Sequence, residues 1–290
     1  MPDNLVYVQA LERFTVGREL LGARLASPFV LRSVDPPLER LVGRSVRGVR
    51  RLGKRLVLAF DGELFLVMHP MIAGRLRWKP PGASIKGRGA LAAFDFEHGT
   101  LLFTEASKRK RASIHVVAGE EALTEHDRGG LDVRTADRAE FLERLRRTRR
   151  TLKRALVDPA TFDGIGNAYS DEILHRARLS PFLRTADIDD QRAGRLHEAA
   201  TAVIEEWTER LAAAVGDGFP DVVTAFHPQM AVHGKYGQPC PDCGAPVQRV
   251  IHAENEFNYC PGCQTEGRIL ADRVLSRLLK DDWPRSLDDL

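Results

Sequence analysis

Up to about residue 130 the apolar positions fall in short runs rich in β-branched and aromatic residues: RLVLAF (55–60), ELFLVMHP (63–70), LAAFDFEHGTLLFTEA (91–106) and ASIHVVAG (112–119). Runs of this kind, bounded by turn signals such as Asp-Gly at 61–62 and His-Gly at 98–99, predict antiparallel strands. VYVQALERF (6–14) has the spacing of an amphipathic helix, and Pro2 ahead of it suits a first helical turn, where a missing N–H is not needed. The first part of the chain therefore reads as a β-sandwich or barrel behind one leading helix. From about Ala139 the period changes. AEFLERLRRTRRTLKRALVD (139–158), SDEILHRARL (170–179) and the stripe Leu196, Ala200, Val203, Ile204, Trp207, Leu211 recur at helical spacing, the last as the core of a helical bundle. Residues 216–238 hold Gly and Pro without periodicity and predict a linker or mobile loop.

At 290 residues and 43% hydrophobic content the chain can build cores for about two domains. No run approaches the roughly 20 apolar residues a bilayer demands, and the first 25 residues lack a secretory pattern, so an intracellular protein is expected. Net charge is only +3, but the basic residues cluster in RSVRGVRRLGKR (44–55), SKRKR (107–111) and RLRRTRRTLKR (144–154). One such run is usually a solvated face; three together predict a surface for a polyanion such as a phosphate backbone.

The four cysteines, Cys240, Cys243, Cys260 and Cys263, form two CxxC pairs sixteen residues apart. Two such knuckles on a short hairpin supply four thiolates for tetrahedral zinc, and a fully thiolate-ligated site is closed and structural. Two disulfides would use the same cysteines, but an intracellular chain argues against them. A further signal is LKRALVDPATFDGIGNAYSDEILHRARLSPF (152–182), where GIGN (164–167) separates two helical segments. Its glycines admit close backbone approach, and Asn167 falls at a helix N-terminus, where free amides and the helix dipole attract phosphate or where its side chain caps the helix.

DGIGNAYSDEILHRARLSP resembles the helix-two-turn-helix of the formamidopyrimidine-DNA glycosylase and endonuclease VIII family, and CPDCGAPVQRV with NYCPGCQ resembles its zinc finger. RRLGKRLVLAF (50–60) matches the family's hairpin lysine and MIAGRLRW (71–78) the strand after it, so the resemblance spans essentially the whole chain. It implies an α+β fold: an antiparallel β-sandwich catalytic domain with a leading helix (1–132), a helix-two-turn-helix DNA-binding domain (133–225) and a Cys₄ zinc-ribbon hairpin with a C-terminal tail (226–290). It implies excision of damaged, oxidised bases from flipped-out nucleotides, with cleavage of the abasic site through a Schiff base on an N-terminal proline. The partner implied is double-stranded DNA carrying a damaged base or abasic site, the cofactor one structural zinc ion, the state a monomer, and the location the cytoplasm, at the nucleoid. A zinc-ribbon RNA-binding protein would leave the glycine turn and hairpin lysine unexplained.

Carried over residue by residue, the resemblance makes Pro2 the nucleophile, Asp3 the acid/base on the sugar and Lys54 the catalytic hairpin lysine, which also grips a phosphate. Lys153 and Asn167 match phosphate-gripping positions, and Arg111 falls near the basic residue that enters the DNA gap, where an aromatic wedge is expected. Met71 or Ile72 stands at the methionine wedge. The family's start is Pro-Glu-Leu-Pro-Glu/Asp, so Pro2-Asp3 aligns either with the nucleophile and its acid or with the second proline and acid that open the first helix. On the second alignment the catalytic end is truncated, and the chain is a relative that recognises lesions without efficient cleavage. At the tip of the zinc hairpin Asn255 replaces the family's arginine beside Glu254 and Glu256, which predicts a weaker grip on DNA.

Overall fold

A computed structural model of the chain describes residues 1–224, 226–252, 255–272, 275–280 and 283–290. Two compact units are present: Met1–Arg128 with Trp207–Val223, and Gly129–Glu206 with Thr224–Leu290. No helix among the described residues is long and apolar enough to cross a membrane.

The first unit opens with α1 (Pro2–Thr15), followed by β1 (Gly22–Leu25), β2 (Val46–Leu52), β3 (Arg55–Phe60), β4 (Leu64–His69), β5 (Gly74–Lys79), β6 (Ala90–Phe96), β7 (Gly99–Glu105), β8 (Ser113–Ala118) and the short α2 (Glu120–Thr124). The strands form two antiparallel four-stranded sheets, ordered β1-β6-β7-β5 and β2-β3-β4-β8. One core joins Leu56, Leu58, Phe60, Leu66 and Met68 of the second sheet to Phe94, Leu101 and Phe103 of the first, with Tyr7 and Leu11 of α1 in the same cluster. The architecture is therefore a sandwich rather than a barrel. The runs RLVLAF and LFLVMH lack polar alternation because both faces are covered: Val57, Phe65 and Val67 point away from the sandwich and pack with Leu123 of α2. Gly74 opens β5 because a Cβ there would lie 2.2 Å from the Pro70 carbonyl oxygen.

In the second unit α3 (Arg138–Arg146), α4 (Leu152–Val157) and α5 (Asn167–Arg176) precede the long α6 (Asp190–Val215), whose residues from Trp207 onward belong to the first unit. The helical text at 139–158 is broken at Thr148–Thr151. Thr185 Oγ1 donates to the Thr148 carbonyl at 2.5 Å, and Thr151 becomes the N-cap of α4, accepting from Arg154 N, so one long-range and one local side-chain bond replace the helical ladder. Asp137 starts α3 with a capping box completed by Glu140. At GIGN, Gly164 is left-handed (φ +72°) and Gly166 is the N-cap of α5, so Asn167 is its first residue and not its cap. β9 (Gln248–His252) and β10 (Asn255–Tyr259) form the expected hairpin, followed by α7 (Pro261–Gln264) and α8 (Leu275–Leu279).

The segment 216–238 holds neither helix nor strand among its described residues, yet both of its parts are anchored. Phe219 packs against Tyr7, Phe14 and Trp78, and Arg75 Nε donates to the Val223 carbonyl at 2.7 Å. Further on, the buried Glu172 carboxylate accepts from the amides of Ala231, Val232 and His233 at 2.8–3.0 Å.

Candidate functional site

The head of α1 gathers three of the expected residues. Pro2 is buried at the first helical position, and the Met1 carbonyl accepts from Asn4 N at 3.0 Å and Leu5 N at 3.1 Å. Asp3 lies in the first turn, where a negative charge complements the helix dipole. Asn4 Nδ2 donates to the Lys54 carbonyl at 2.9 Å, which ties this helix start to the β2–β3 turn, where Gly53 takes φ +63°. Next to Lys54, Arg55 Nη1 donates to the His126 carbonyl at 3.0 Å. Burial, helped by repulsion from Arg55, pushes both His69 and His115 down to about 4, with Lys54 adding to the effect on His69. His126, whose ring lies 4.8 Å from that of His115, is lowered for the same first reason. These imidazoles are neutral at pH 7, and sequence reasoning did not single them out, because their surroundings are set by distant elements.

Arg111 sits in the loop between β7 and β8, and Lys108–Arg111 are exposed. That loop is held by Glu105, a buried carboxylate not anticipated from sequence, which accepts from Arg111 N at 3.0 and 3.1 Å and from Ala112 N at 3.2 Å. Ile72 is 81% exposed, and Met71 beside it is left-handed at φ +56°. Parts of the other basic runs are neutralised internally: Arg50 pairs with Glu120, Arg47 with Asp61, Arg146 with Asp190, Arg147 with Glu143 and Arg150 with Asp158. The net basic surface is therefore smaller than the sequence suggests.

Lys153 and Asn167 are brought together in the second unit, in an unforeseen arrangement. The Lys153 ammonium is buried and donates to the Asn167 carbonyl and to Ser170 Oγ, each at 2.8 Å, and to Asp171 Oδ1. Its three protons are thus all engaged inside the protein. Burial lowers its pKa, and Asp171 opposes that shift. Asn167 Nδ2 donates to the Glu256 carbonyl of β10 at 2.6 Å. Glu256 itself pairs with Arg249 at 3.2 Å, which tempers the acidity expected at the hairpin tip. Glu254 and the side chain of Asn255 lie outside the described residues.

The Sγ atoms of Cys240, Cys243, Cys260 and Cys263 all lie within 4.8 Å of one another, with Cys240–Cys263 at 3.9 Å and Cys243–Cys260 at 3.3 Å. Tetrahedral zinc with Zn–S of about 2.3 Å sets its sulfurs roughly 3.8 Å apart, so the cage fits the ion. The knuckle turns are backbone-bonded, with Gly244 N to the Cys240 carbonyl and Gln264 N to that of Cys260. A Cβ at Gly262 would come within 3.0 Å of Cys243 Sγ. Burial pushes the Cys263 thiol up to about 12 and raises Cys260 further, so their thiolate forms call for a cation among them. This is a structural zinc site with no place for a catalytic water.

Two family models match separate stretches of the chain. Residues 1–114 match the model of the formamidopyrimidine-DNA glycosylase N-terminal domain, and residues 131–216 that of the formamidopyrimidine-DNA glycosylase H2TH domain. The formamidopyrimidine-DNA glycosylase of Solibacter usitatus is 31% identical over 272 residues, covering 91% of this chain and 98% of its own. An uncharacterized formamidopyrimidine-DNA glycosylase-like protein of Mycobacterium tuberculosis is 43% identical over 129 residues, 44% of this chain and 80% of that protein. Among solved structures, the Lactococcus lactis Fpg bound to abasic-site DNA superposes with a TM-score of 0.80 at 23% identity, over 91% of this chain and 99% of that one. At that identity the likeness speaks for the fold alone.

Proposed function

The chain belongs to the formamidopyrimidine-DNA glycosylase family, and from that premise we propose that it is a base-excision-repair glycosylase that also cleaves the abasic site it creates. The substrate is double-stranded DNA carrying an oxidised base. Removal of Met1 frees the Pro2 amine, which attacks C1′ of the flipped nucleotide as the bond to the base breaks and the base leaves with the electron pair. Loss of the amine proton and breaking of the C1′–O4′ bond, with O4′ taking a proton, open the sugar ring to an iminium, from which loss of a C2′ proton expels the 3′-phosphate by β-elimination. Position favours the amine: an α-amino group has a pKa of about 7.7–8.0, and the positive end of the α1 dipole disfavours its protonated form. Asp3 serves as acid/base on the sugar and Lys54 holds a flanking phosphate. Arg111 addresses the gap left by the flipped base. Asn167 and the amides at the start of α5 take a second phosphate, and Lys153 acts there by fixing the Asn167 carbonyl.

One observation carries the reading: the Asn4 to Lys54 hydrogen bond joins the helix start that bears Pro2 and Asp3 to the hairpin lysine. Borohydride trapping on an abasic-site duplex, with mass spectrometry of the N-terminus, tests it. The expected result is a chain beginning at Pro2 that forms a covalent adduct through that residue, with Lys54→Ala weakening DNA affinity by about 1.5–3 kcal/mol. A chain beginning at Pro2 that binds the duplex without forming an adduct overturns the lyase. Pro2 is then only the residue that starts α1, and the protein is a lesion-binding relative.

A further inference from the structure

Three residues of α5 spaced four apart, Asn167, Asp171 and His175, all reach the C-terminal part of the chain. Asn167 bonds the Glu256 carbonyl, and Asp171 Oδ2 accepts from Asn258 N at 3.1 Å and His233 Nδ1 at 2.7 Å. His175 Nε2 lies 3.3 Å from Cys240 Sγ. Residues at i, i+4 and i+8 share one helix face, so the zinc hairpin is docked along α5 and the metal cage meets its last turn.

We propose that His175 is a positioning residue of the zinc centre, donating its Nε2 proton to the Cys240 thiolate. Four thiolates around Zn²⁺ leave the cage with an excess of negative charge, and Cys240 is buried where water cannot disperse it. An N–H donor withdraws electron density from that sulfur, holds its orientation and slows its departure from the metal. His175 is buried as well, so the donor is fixed by packing. Asp242 Oδ2 stands 4.0 Å from Nε2, beyond hydrogen-bond range, and Cys263 Sγ lies within 4.8 Å, whereas Cys240 Sγ at 3.3 Å is within reach of an N–H donor. Neither CxxC pair encloses a histidine; the donor arrives from a helix 65 residues earlier. The inference rests on the zinc site and is independent of any reading of the catalytic residues.

The test uses the full-length protein loaded with cobalt(II) for spectroscopy and with zinc for release to a chromogenic chelator. His175→Phe keeps the ring volume and removes the donor, while His175→Gln returns an N–H at similar reach. The expected outcome for His175→Phe is retained tetrahedral four-sulfur d–d bands, a thiolate-to-cobalt charge-transfer band moved to lower energy, and zinc loss roughly ten-fold faster, with both reversed in His175→Gln. His175→Met supplies a second donor-free variant if the Phe variant does not fold. Unchanged charge-transfer energy and release rate in a donor-free variant overturn the proposal. A change in the d–d envelope that signals a different ligand set also overturns it, since His175 would then be a ligand.

Discussion

His69 and His115 show how burial of single residues sets a response to pH. They occupy neighbouring strands, with His69 opposite Ser113 and His115 opposite Val67, and both are held near 4, below the ordinary 6.5. Between those values the unfolded chain binds protons that the folded chain refuses. Their contribution is therefore complete above about pH 6.5 and is lost as the pH falls toward 4. Denaturant midpoints at pH 7 and pH 5 should reveal the decline, with a shallower dependence in a His69→Gln, His115→Gln double variant; identical slopes would rule the pair out as its source. The strand runs holding these histidines were plain from β-branched neighbours, whereas their neutrality comes from packing and from Arg55, which only folding brings alongside. Lys153 teaches the same lesson: it sits in one of the most basic stretches of the chain, yet its ammonium is buried.

Among the elements, α5 joins the most functions. Its face carries Asp171, whose carboxylate accepts a hydrogen bond from the Lys153 ammonium on one oxygen and from His233 and the Asn258 amide on the other. Asp171→Ala leaves a buried ammonium without its counter-charge and should destabilise the protein by about 3–5 kcal/mol in chemical unfolding. A loss below about 1 kcal/mol would show that water enters and solvates Lys153. Helical period and the glycine turn located α5 to within a few residues, because its apolar positions and start signal are local. What the polar face of α5 touches was not legible: the sequence reads Asn167 as a phosphate contact or helix cap and gives no sign that Asp171 and His175 meet His233, Cys240 and Asn258.

For the whole molecule, the zinc ion links a local motif to the docking of the hairpin on α5. Chelation should unfold residues from about 238 to 266, seen as lost amide-exchange protection in β9 and β10, and loosen the N-terminal turn of α5, so that DNA affinity falls with it. Unchanged protection in the hairpin after metal removal would disprove the Cys₄ assignment. Alone, the sequence determined the α+β class, most strands of the sandwich, the glycine turn and the four zinc ligands. Each of these is written in local periodicity or in fixed short spacings, which survive without knowledge of distant contacts. Tertiary structure alone decided that Glu105 holds the Arg111 loop, that Asn4 ties Pro2 and Asp3 to the Lys54 turn, that acids neutralise much of the basic runs, and that His175 meets the metal cage. Those pairings join residues far apart in the chain or choose among many equivalent charges, and only the folded backbone selects which of them come within reach.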